Sequence, residues 1–313
     1  MDVTAAATRR RGLRIGLGTA RNWFILPAAL WTLAFTLYPL IHALILSFQR
    51  ARLGQRETFV GLGNYAADFH DAQFWSALSF TAVLVVVTVA AALALGLGLA
   101  MLVSQRLIGR NFFRMLFMIP LFATPVGIGY LAVILFAQSG PINGLLQGLQ
   151  GLLGAVGLHT SLAVNWGSSP HGAAVAVVML EIWRWTPFAF LVLLAGMQGI
   201  PEEVYEAASL ETNRGWDVFR FITLPLLRPM IALALLLITV EAFKTIDIPF
   251  AFTKGGPGIA TQTYTMLVWR VAFNSFALGS AASLGFLLLV LVLIVVNVLL
   301  FVGKLRISIF GED

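Results

Sequence analysis

The sequence contains no cysteine, and only 11% of its 313 residues are charged. The absence of cysteine excludes disulfide frameworks, thiolate metal sites and thiol nucleophiles. Hydrophobic residues make up 59% of the chain and the mean hydropathy is +0.90, which leaves too few polar side chains to cover a soluble protein. Soluble enzymes, nucleic-acid-binding proteins and disordered chains are therefore excluded.

The histidines are scattered along the chain, and no two of them have the spacing of metal ligands. They are His42, His70, His159 and His171, and we interpret all four as structural or solvated. No His-x-x-x-His, Ser/Lys or paired-Asp arrangement stands at a usable spacing either. The sequence therefore offers no catalytic residues and no metal site, and an intramembrane enzyme has no support.

A membrane-spanning helix needs roughly 20 mostly apolar residues, and six stretches of the sequence qualify. They are Trp23–Phe48, Trp75–Ser104, Met115–Ala137, Ala173–Gly196, Pro229–Thr253 and Ala277–Gly303. Their connections are short, and no stretch is left for a soluble domain. We predict an all-α polytopic membrane protein with six transmembrane helices over residues 23–303, between tails of residues 1–22 and 304–313.

Lysine and arginine are distributed unequally between the two sides of the predicted membrane domain. The side of the N-terminus holds Arg9, Arg10, Arg11, Arg14, Arg21, Arg106, Arg110, Arg114, Arg214, Arg220, Arg228, Lys304 and Arg306. The opposite side holds Arg50, Arg52, Arg56, Lys254 and Arg270. Because cytoplasmic loops are enriched in basic residues, both termini are expected on the cytoplasmic side of the membrane. The membrane is expected to be the bacterial plasma (inner) membrane. The net charge of +6 thus reflects topology and implies no nucleic-acid partner.

Small residues recur at helical spacing in two of the predicted spans. Ala92, Gly96 and Ala100 share one face of the second span, and Gly279 and Ser283 lie in the sixth. Small side chains let the backbones of membrane helices approach closely. We interpret these positions as packing sites within the chain, with contact to another subunit as the alternative.

The loop between the fourth and fifth spans, residues 198–228, differs from the other loops. Pro201 followed by two glutamates is typical of a helix start, because proline suits the first turn and acids complement the helix dipole. A break over residues 212–215 precedes a second short amphipathic piece, which Pro225 is expected to end. Two short helices with outward-facing apolar side chains predict a docking element for another protein.

Specific motifs in this loop resemble those of a known family. The Glu-Ala-Ala motif at Glu206–Ala208, with Ile-Thr-Leu-Pro at Ile222–Pro225, resembles the EAA loop of ABC importer permeases. The flanking sequences resemble the carbohydrate branch of that family, the maltose and glycerol-phosphate type. These flanking sequences are Gly199–Glu203, Leu226–Pro229, Thr253–Pro257 and Phe59–Tyr65.

The resemblance implies a permease subunit of an ATP-driven importer for sugars or sugar-like solutes, with the ABC importer permease fold and a cytoplasmic coupling helix. The implied partners are a second permease, two ATP-binding subunits that carry ATP and Mg, and an extracytoplasmic solute-binding protein. The sequence itself lacks the G-x-x-x-x-G-K-[ST] pattern, so the chain is expected to bind no cofactor and to be no enzyme. By the resemblance, the ATPase-coupling residues are Glu206, Ala207, Ala208, Glu211, Thr212, Asn213, Gly215, Ile222, Leu224 and Pro225, the first three facing a cleft of the ATPase.

One position departs from the family's pattern. The family usually has glycine four residues after the second alanine of the motif, where this sequence has Thr212. Glycine commonly supplies a turn with positive φ there, which threonine disfavours. Asn213 tolerates that conformation and Gly215 is close by, so we expect the turn to shift onto one of them.

Charged residues inside the fourth and fifth predicted spans are candidates for the substrate path. Glu181 and Arg184 share a helix face, and the same spacing recurs in the fifth span. Ionisable side chains in a membrane are costly, so they face the bundle interior, a partner or a water-filled path. Because sugars bind to aromatic faces and planar polar groups, the candidates are Glu181, Trp183, Arg184, Trp185, Glu241, Phe243, Lys244 and Asp247. Structural ion pairs and an interfacial aromatic belt are the alternative interpretations.

A stand-alone secondary carrier or channel with six spans is the alternative function. Glu241 or Asp247 would then bind the coupling ion. Such a protein has no reason for a docking loop over residues 198–228, so the sequence favours the importer permease.

Overall fold

The computed structural model describes residues 17–104, 109–155, 163–212 and 214–302, which are mostly helical. The helices are α1 (Leu17–Ser47), α2 (Gly63–His70), α3 (Ala72–Ser104), α4 (Arg110–Met118), α5 (Pro125–Leu135), α6 (Pro141–Ala155), α7 (Pro170–Gln198), α8 (Glu202–Glu211), α9 (Gly215–Val218), α10 (Leu224–Phe243), α11 (Asp247–Thr253), α12 (Tyr264–Phe273) and α13 (Leu278–Val302). A 3-10 turn, Ile119–Phe122, follows α4, and a π-helical segment, Phe219–Thr223, joins α9 to α10. The predicted tail 304–313 lies outside the described ranges.

A small antiparallel ribbon is the one addition to the predicted all-α class within the described ranges. It pairs β1 (Gln49–Arg50) with β2 (Thr58–Phe59), so that Gln49 lies opposite Phe59. The ribbon follows α1 directly and serves as a packing surface for a later helix.

Five helical stretches are long and apolar enough to cross a membrane. They are Ile25–Ser47 within α1, α3, α7, the continuous stretch Gly215–Phe243, and Leu278–Phe301 within α13. These stretches correspond to the first, second, fourth, fifth and sixth predicted spans, so the polytopic helical architecture is confirmed.

The third predicted span, Met115–Ala137, is sharply broken. α4 with its 3-10 turn meets α5 at an angle of 99°. Pro120 and Pro125 lie on either side of the break, and neither has the N–H donor that a continuous helix needs. The Thr124 hydroxyl caps α5 by accepting a hydrogen bond from the Gly127 N–H at 3.2 Å. If the bent pair counts as one span, the described residues hold six.

The fifth predicted span, Pro229–Thr253, is wrong at its start. The helix begins at Gly215 and runs through α9, the π-helical segment and α10 without a break. Pro225, which was expected to end a short helix, lies directly after the π-helical segment, at the second position of α10, and the helix continues through it. The wider turn of the π-helical segment precedes it and absorbs the change in helical register.

The same span is also wrong at its end, because α10 stops at Phe243. A continuous helix would need the N–H of Pro249 to bond to the Thr245 carbonyl, and proline has no N–H. The Thr263 hydroxyl donates a hydrogen bond to that carbonyl instead, at 2.8 Å. The chain resumes as α11 at Asp247, so the predicted span is two helices with a polar break between them.

α3 packs along α7 through the small residues that the sequence singled out. Ala92 and Ala100 are fully buried, and an added Cβ on Gly96 would lie 2.6 Å from the Cβ of Ala189 on α7. That separation is far inside van der Waals contact, so this position accepts only glycine without a shift of the helices. The prediction of packing within the chain is confirmed for the second span.

The start of α13 packs against the ribbon and α2. An added Cβ on Gly279 would collide with the carbonyl oxygen of Gln49, and Asn64 donates to the same carbonyl from Nδ2 at 2.8 Å. The Ser283 hydroxyl donates to the buried carboxylate of Asp68 on α2 at 2.5 Å. These contacts fix the start of α13 to the segment that connects α1 and α3.

We expect Gly96→Ala to destabilise the fold, because the added methyl group collides with Ala189. The free energy of unfolding should fall by roughly 1–3 kcal/mol, the usual cost of overpacking. Gly98→Ala is the matched control, since its added Cβ meets nothing within 4 Å on the same helix. Thermal unfolding in detergent measures both variants, and equal midpoints would contradict the close α3–α7 contact.

The second prediction concerns Asp68. Burial raises the pKa of its carboxyl from 3.8 to about 6; the hydrogen bond from Ser283 acts against the rise and the charge of Asp71 adds to it. The folded protein therefore holds this proton more tightly than the unfolded chain, and stability falls as the pH rises from about 4 to about 6. Asp68→Asn should remove this loss, and thermal midpoints across that pH range measure it. Glu57→Gln is the control, because Glu57 is an exposed acid of the same α1–α3 connection, and the same flattening in both variants would refute the assignment.

Candidate coupling loop and substrate path

The loop over residues 198–228 contains the two predicted helical pieces. α8 begins directly after Pro201, whose φ of −57° and ψ of 143° place it just outside the helix, and Glu202 and Glu203 occupy the first turn. The acids complement the positive end of the helix dipole, which explains why the helix starts here. The predicted start of this helix is confirmed.

The second helical piece is continuous with a membrane helix. α9 passes through the π-helical segment into α10, so no flexible joint separates the loop from the span. The Tyr205 hydroxyl of α8 accepts a hydrogen bond from the buried Thr223 hydroxyl at 3.4 Å. Through this contact, α8 is joined to the rod that α9, the π-helical segment and α10 form.

The Glu-Ala-Ala motif is divided between two surfaces of α8. Glu206 and Ala207 are exposed, as expected for a face that meets a partner. Ala208 is only 5% exposed and packs against its own chain, which corrects the expectation that all three residues face outward. Its small side chain serves internal packing, since α8 lies close to the rest of the molecule at this point.

Large apolar side chains project from the loop into open space. Leu210 on α8 is 90% exposed, Trp216 on α9 is 65% exposed and Phe221 is 68% exposed. Leu210 and the buried Ala208 face opposite ways, although both are apolar residues of the same short helix. A two-residue separation on a helix, which turns the side chain through about 200°, is the signal that distinguishes them.

The break after α8 does not use a left-handed turn at Thr212 or Gly215. Thr212 is extended, with φ −149° and ψ 137°, and Gly215 begins α9 without a positive φ. Shifting the turn onto Gly215 was therefore wrong, and Asn213 lies outside the described residues. The Thr212 hydroxyl accepts from the Arg214 N–H at 3.2 Å and donates to Asp217 at 3.4 Å, so threonine itself organises the break.

The remaining predicted coupling residues frame the loop. Glu211 is exposed at the last position of α8. Ile222, Leu224 and Pro225 are half-buried at the junction of the π-helical segment and α10. They pack the rod where it enters the membrane domain.

Glu181 is the centre of the candidate path on α7. It is 1% exposed, and its carboxylate accepts from Arg184 Nη1 at 3.1 Å and from the Thr245 hydroxyl at 3.0 Å. Because Thr245 lies in the break between α10 and α11, this carboxylate joins α7 to the broken fifth span. A buried carboxylate with two donors is satisfied, and it fixes the position of its arginine.

Thr245 is the residue that sequence reasoning missed. It is 6% exposed, its hydroxyl binds Glu181, and its carbonyl binds the Thr263 hydroxyl. The signal for it was its place within Lys244-Thr245-Ile246-Asp247, a polar run inside an otherwise apolar stretch.

The aromatic candidates on α7 lie on different faces. The guanidinium of Arg184 is 4.6 Å from the ring centroid of Trp185, which in turn lies edge-on to Phe188 at 5.9 Å. Trp183 points elsewhere and lines an apolar cleft of about 330 Å³ with residues of α3 and α4, such as Leu95. The structure brings Trp185 to Arg184 and does not bring Trp183 there.

The fifth-span candidates are also divided. Lys244 forms an ion pair with Glu241 at 2.5 Å, with 56% and 44% of the two side chains exposed. Asp247 is exposed in the first turn of α11, so the three charges do not share one helix face as the spacing predicted. Phe243 is 5% exposed within an apolar core cluster, away from the charged surface.

Sequence comparison identifies relatives over most of the chain. Residues 90–304 match the family model described as binding-protein-dependent transport system inner membrane component. The trehalose/maltose transport system permease protein MalF of Thermococcus litoralis is 35% identical, over 90% of this chain and 92% of the relative. The lactose transport system permease protein LacF of Rhizobium radiobacter is 30% identical, over 92% of this chain and 96% of the relative.

The fold has a match among solved structures as well. One chain of a bacterial alginate ABC transporter, crystallised with an alginate pentasaccharide-bound periplasmic protein, superposes with a TM-score of 0.76. At 20% identity it covers 96% of this chain and 100% of its own, and so supports the permease fold. The chain belongs to the family of binding-protein-dependent transport system inner membrane components, and is a multi-pass protein of the inner membrane.

Proposed function

We propose that this chain is the permease subunit of an ATP-driven importer that takes a sugar or sugar-like solute from an extracytoplasmic binding protein. The relatives named for trehalose/maltose and lactose transport support the solute class. The loop α8–α9, with its exposed apolar side chains and its rigid continuation into α10, is the single observation that carries the coupled mechanism.

The proposal includes six spans with both termini in the cytoplasm. Five long apolar helices and the bent pair α4–α5 supply the six spans. An even number of spans returns the chain to the side where it began, and the basic loops of the sequence favour the cytoplasm for that side. α8 and α9 then face the cytoplasm, where ATP is available.

The outward face of the coupling loop is the proposed docking site for an ATP-binding subunit. Leu210, Trp216 and Phe221 expose apolar area that a monomeric surface rarely leaves uncovered. Two such subunits, carrying ATP and Mg, supply the hydrolysis. Glu206 and Ala207 lie beside this apolar area on α8, in agreement with a shared interface.

The charged surface at the α10–α11 break supports a second permease subunit. Lys244 and Asp247 are exposed on this chain although they lie within the membrane domain. Charges facing lipid are costly, so this surface borders a partner or a water-filled path. We place the solute path there, between two permeases.

Arg184 and Trp185 are the proposed solute-binding pair. A guanidinium offers planar N–H donors to hydroxyl groups, and an aromatic ring offers a flat apolar face. Glu181 and Thr245 act by positioning, since they hold the guanidinium through the 3.1 Å contact between Glu181 and Arg184.

We expect Leu210→Asp to abolish docking of the ATPase without unfolding the permease, because this side chain makes almost no contact within the chain. Loss of a central apolar anchor should weaken association roughly tenfold or more. Co-purification of co-expressed ATP-binding subunits, together with solute uptake, measures the effect. Ser209→Ala, exposed on the same helix, is the control, and normal co-purification with Leu210→Asp would refute the docking site.

The path is tested by Arg184→Ala. Uptake should fall roughly tenfold or more, because the solute loses its hydrogen bonds to the charged guanidinium of Arg184. Assembly is checked by co-purification of the ATP-binding subunits. Thr186→Ala, on the same helix but lining the apolar cleft, is the control. Normal uptake by an assembled Arg184→Ala complex would remove this residue from the path, and uptake without any ATP-binding subunit would favour a stand-alone carrier.

A further inference from the structure

A cavity of about 640 Å³ with several polar side chains in its wall lies between α8, the proposed coupling helix, and the ends of the membrane helices. Its walls come from α3, α4, the end of α7, α8 and the stretch from α9 into the π-helical segment. The polar side chains that matter here are Ser104, Arg110, Arg114, Glu202, Tyr205 and Thr223. We call it the α4–α8 cavity. The hydrogen bond between Tyr205 and Thr223 lies in its wall, and no role assigned above uses its arginines.

Arg114 is a half-buried cation in the wall of this cavity. Its Nε is buried and has no hydrogen-bond partner. Neither Arg114 nor Arg110 forms an ion pair with any residue that the structure describes. Two other half-buried arginines, Arg184 and Arg270, both donate to side-chain oxygen atoms. The buried Nε–H of Arg114 is left without an acceptor, and its other N–H groups are available to an anion in the cavity.

The charge of the lining favours an anion as well. Two arginines and one glutamate line the α4–α8 cavity within the described ranges. Glu202 lies in the first turn of α8, where the helix dipole favours its negative charge. The arginines therefore leave a net positive potential at the α4 side of the cavity, and a phosphate group matches the fork of a guanidinium.

The surroundings of α4 favour a lipid as the source of this phosphate. Arg110, Arg114 and Phe117 recur on one face of the helix at i, i+4 and i+7. The arginines line the α4–α8 cavity, whereas Phe117 and Leu116 line the apolar cleft between α3, α4 and α7. Charge followed by apolar surface along one helix fits a phospholipid, with its headgroup at the membrane surface and an acyl chain deeper.

We propose that the α4–α8 cavity binds a phosphate-bearing anion, the headgroup of an anionic phospholipid in the cytoplasmic leaflet. This rests on the cytoplasmic placement of α8 in the proposed function. The phosphate oxygens accept hydrogen bonds from Arg110 and Arg114 of α4. Because Tyr205 of α8 lies in the same wall, the bound headgroup holds the coupling helix against α4. Lipid composition thereby affects the position of the coupling helix.

The test uses the full-length chain, with any subunits that purify with it, in nanodiscs of phosphatidylcholine alone or in equal parts with phosphatidylglycerol. Native mass spectrometry counts the retained phosphatidylglycerol, and thermal unfolding reports stability. Wild-type protein should retain the anionic lipid and unfold at a higher temperature with it. Arg114→Gln should weaken this binding roughly tenfold, the loss expected for one charged hydrogen-bonding group.

Matched variants keep the result interpretable. Arg114→Lys retains the charge and should restore most of the binding, and Arg110→Gln serves if Arg114→Gln does not fold. Arg228→Gln is the control, since this exposed arginine belongs to the same loop region and does not line the cavity. Equal retention of phosphatidylglycerol by wild type, Arg110→Gln and Arg114→Gln would overturn the site.

A further arm distinguishes the two sources of phosphate. Inorganic phosphate is added to the phosphatidylcholine nanodiscs. If it raises the unfolding temperature as much as phosphatidylglycerol does, and through Arg114, then a free anion is the ligand and the lipid assignment is overturned. These measurements need no ATP and no docked ATPase, so their failure is separate from a failure of the docking test with Leu210→Asp.

Discussion

A backbone carbonyl that loses its helical donor inside a membrane must find another donor within the protein, because lipid offers none. This constraint determines the centre of the molecule. Pro249 leaves the Thr245 carbonyl without its helical partner, and the Thr263 hydroxyl replaces it. The resulting break turns the Thr245 side chain toward Glu181, and Glu181 in turn holds Arg184. The candidate solute path therefore depends on how one interrupted helix is satisfied.

The proposed coupling loop and the proposed solute path are connected by the same two helices. α7 carries Glu181 and Arg184 in its middle and leads directly into the loop at its end. α10 starts from the loop through the π-helical segment and ends at the break beside Glu181. Close packing of α3 on α7, at Gly96, provides the support against which these helices can move together. The hydrogen bond between Tyr205 and Thr223 joins α8 to this pair of helices.

The sequence predicted the apolar spans well, because the length of an apolar run is a direct physical requirement of the bilayer. It predicted the interruptions poorly. Pro225 and Pro249 both lie in apolar stretches of the sequence. The helix continues through Pro225, whereas α10 ends at Phe243 and Pro249 lies in the next helix, α11. The difference arises partly from partners distant in sequence, such as the Thr263 hydroxyl that donates to the Thr245 carbonyl. It also arises from a π-helical turn before Pro225, which no local sequence pattern predicted.

By itself, the sequence determined that this is a polytopic membrane protein with a helical loop before its fifth span, since hydropathy and motif spacing are properties of short segments. Only the tertiary structure decided which side chains of each motif are exposed and which pack inside the protein. Ala207 and Ala208 are neighbours of the same type, but one faces outward and the other packs inside. Trp183 and Trp185 are separated in the same way by the turn of α7. Exposure and partnership depend on which elements lie opposite, and that information exists only once the helices have packed.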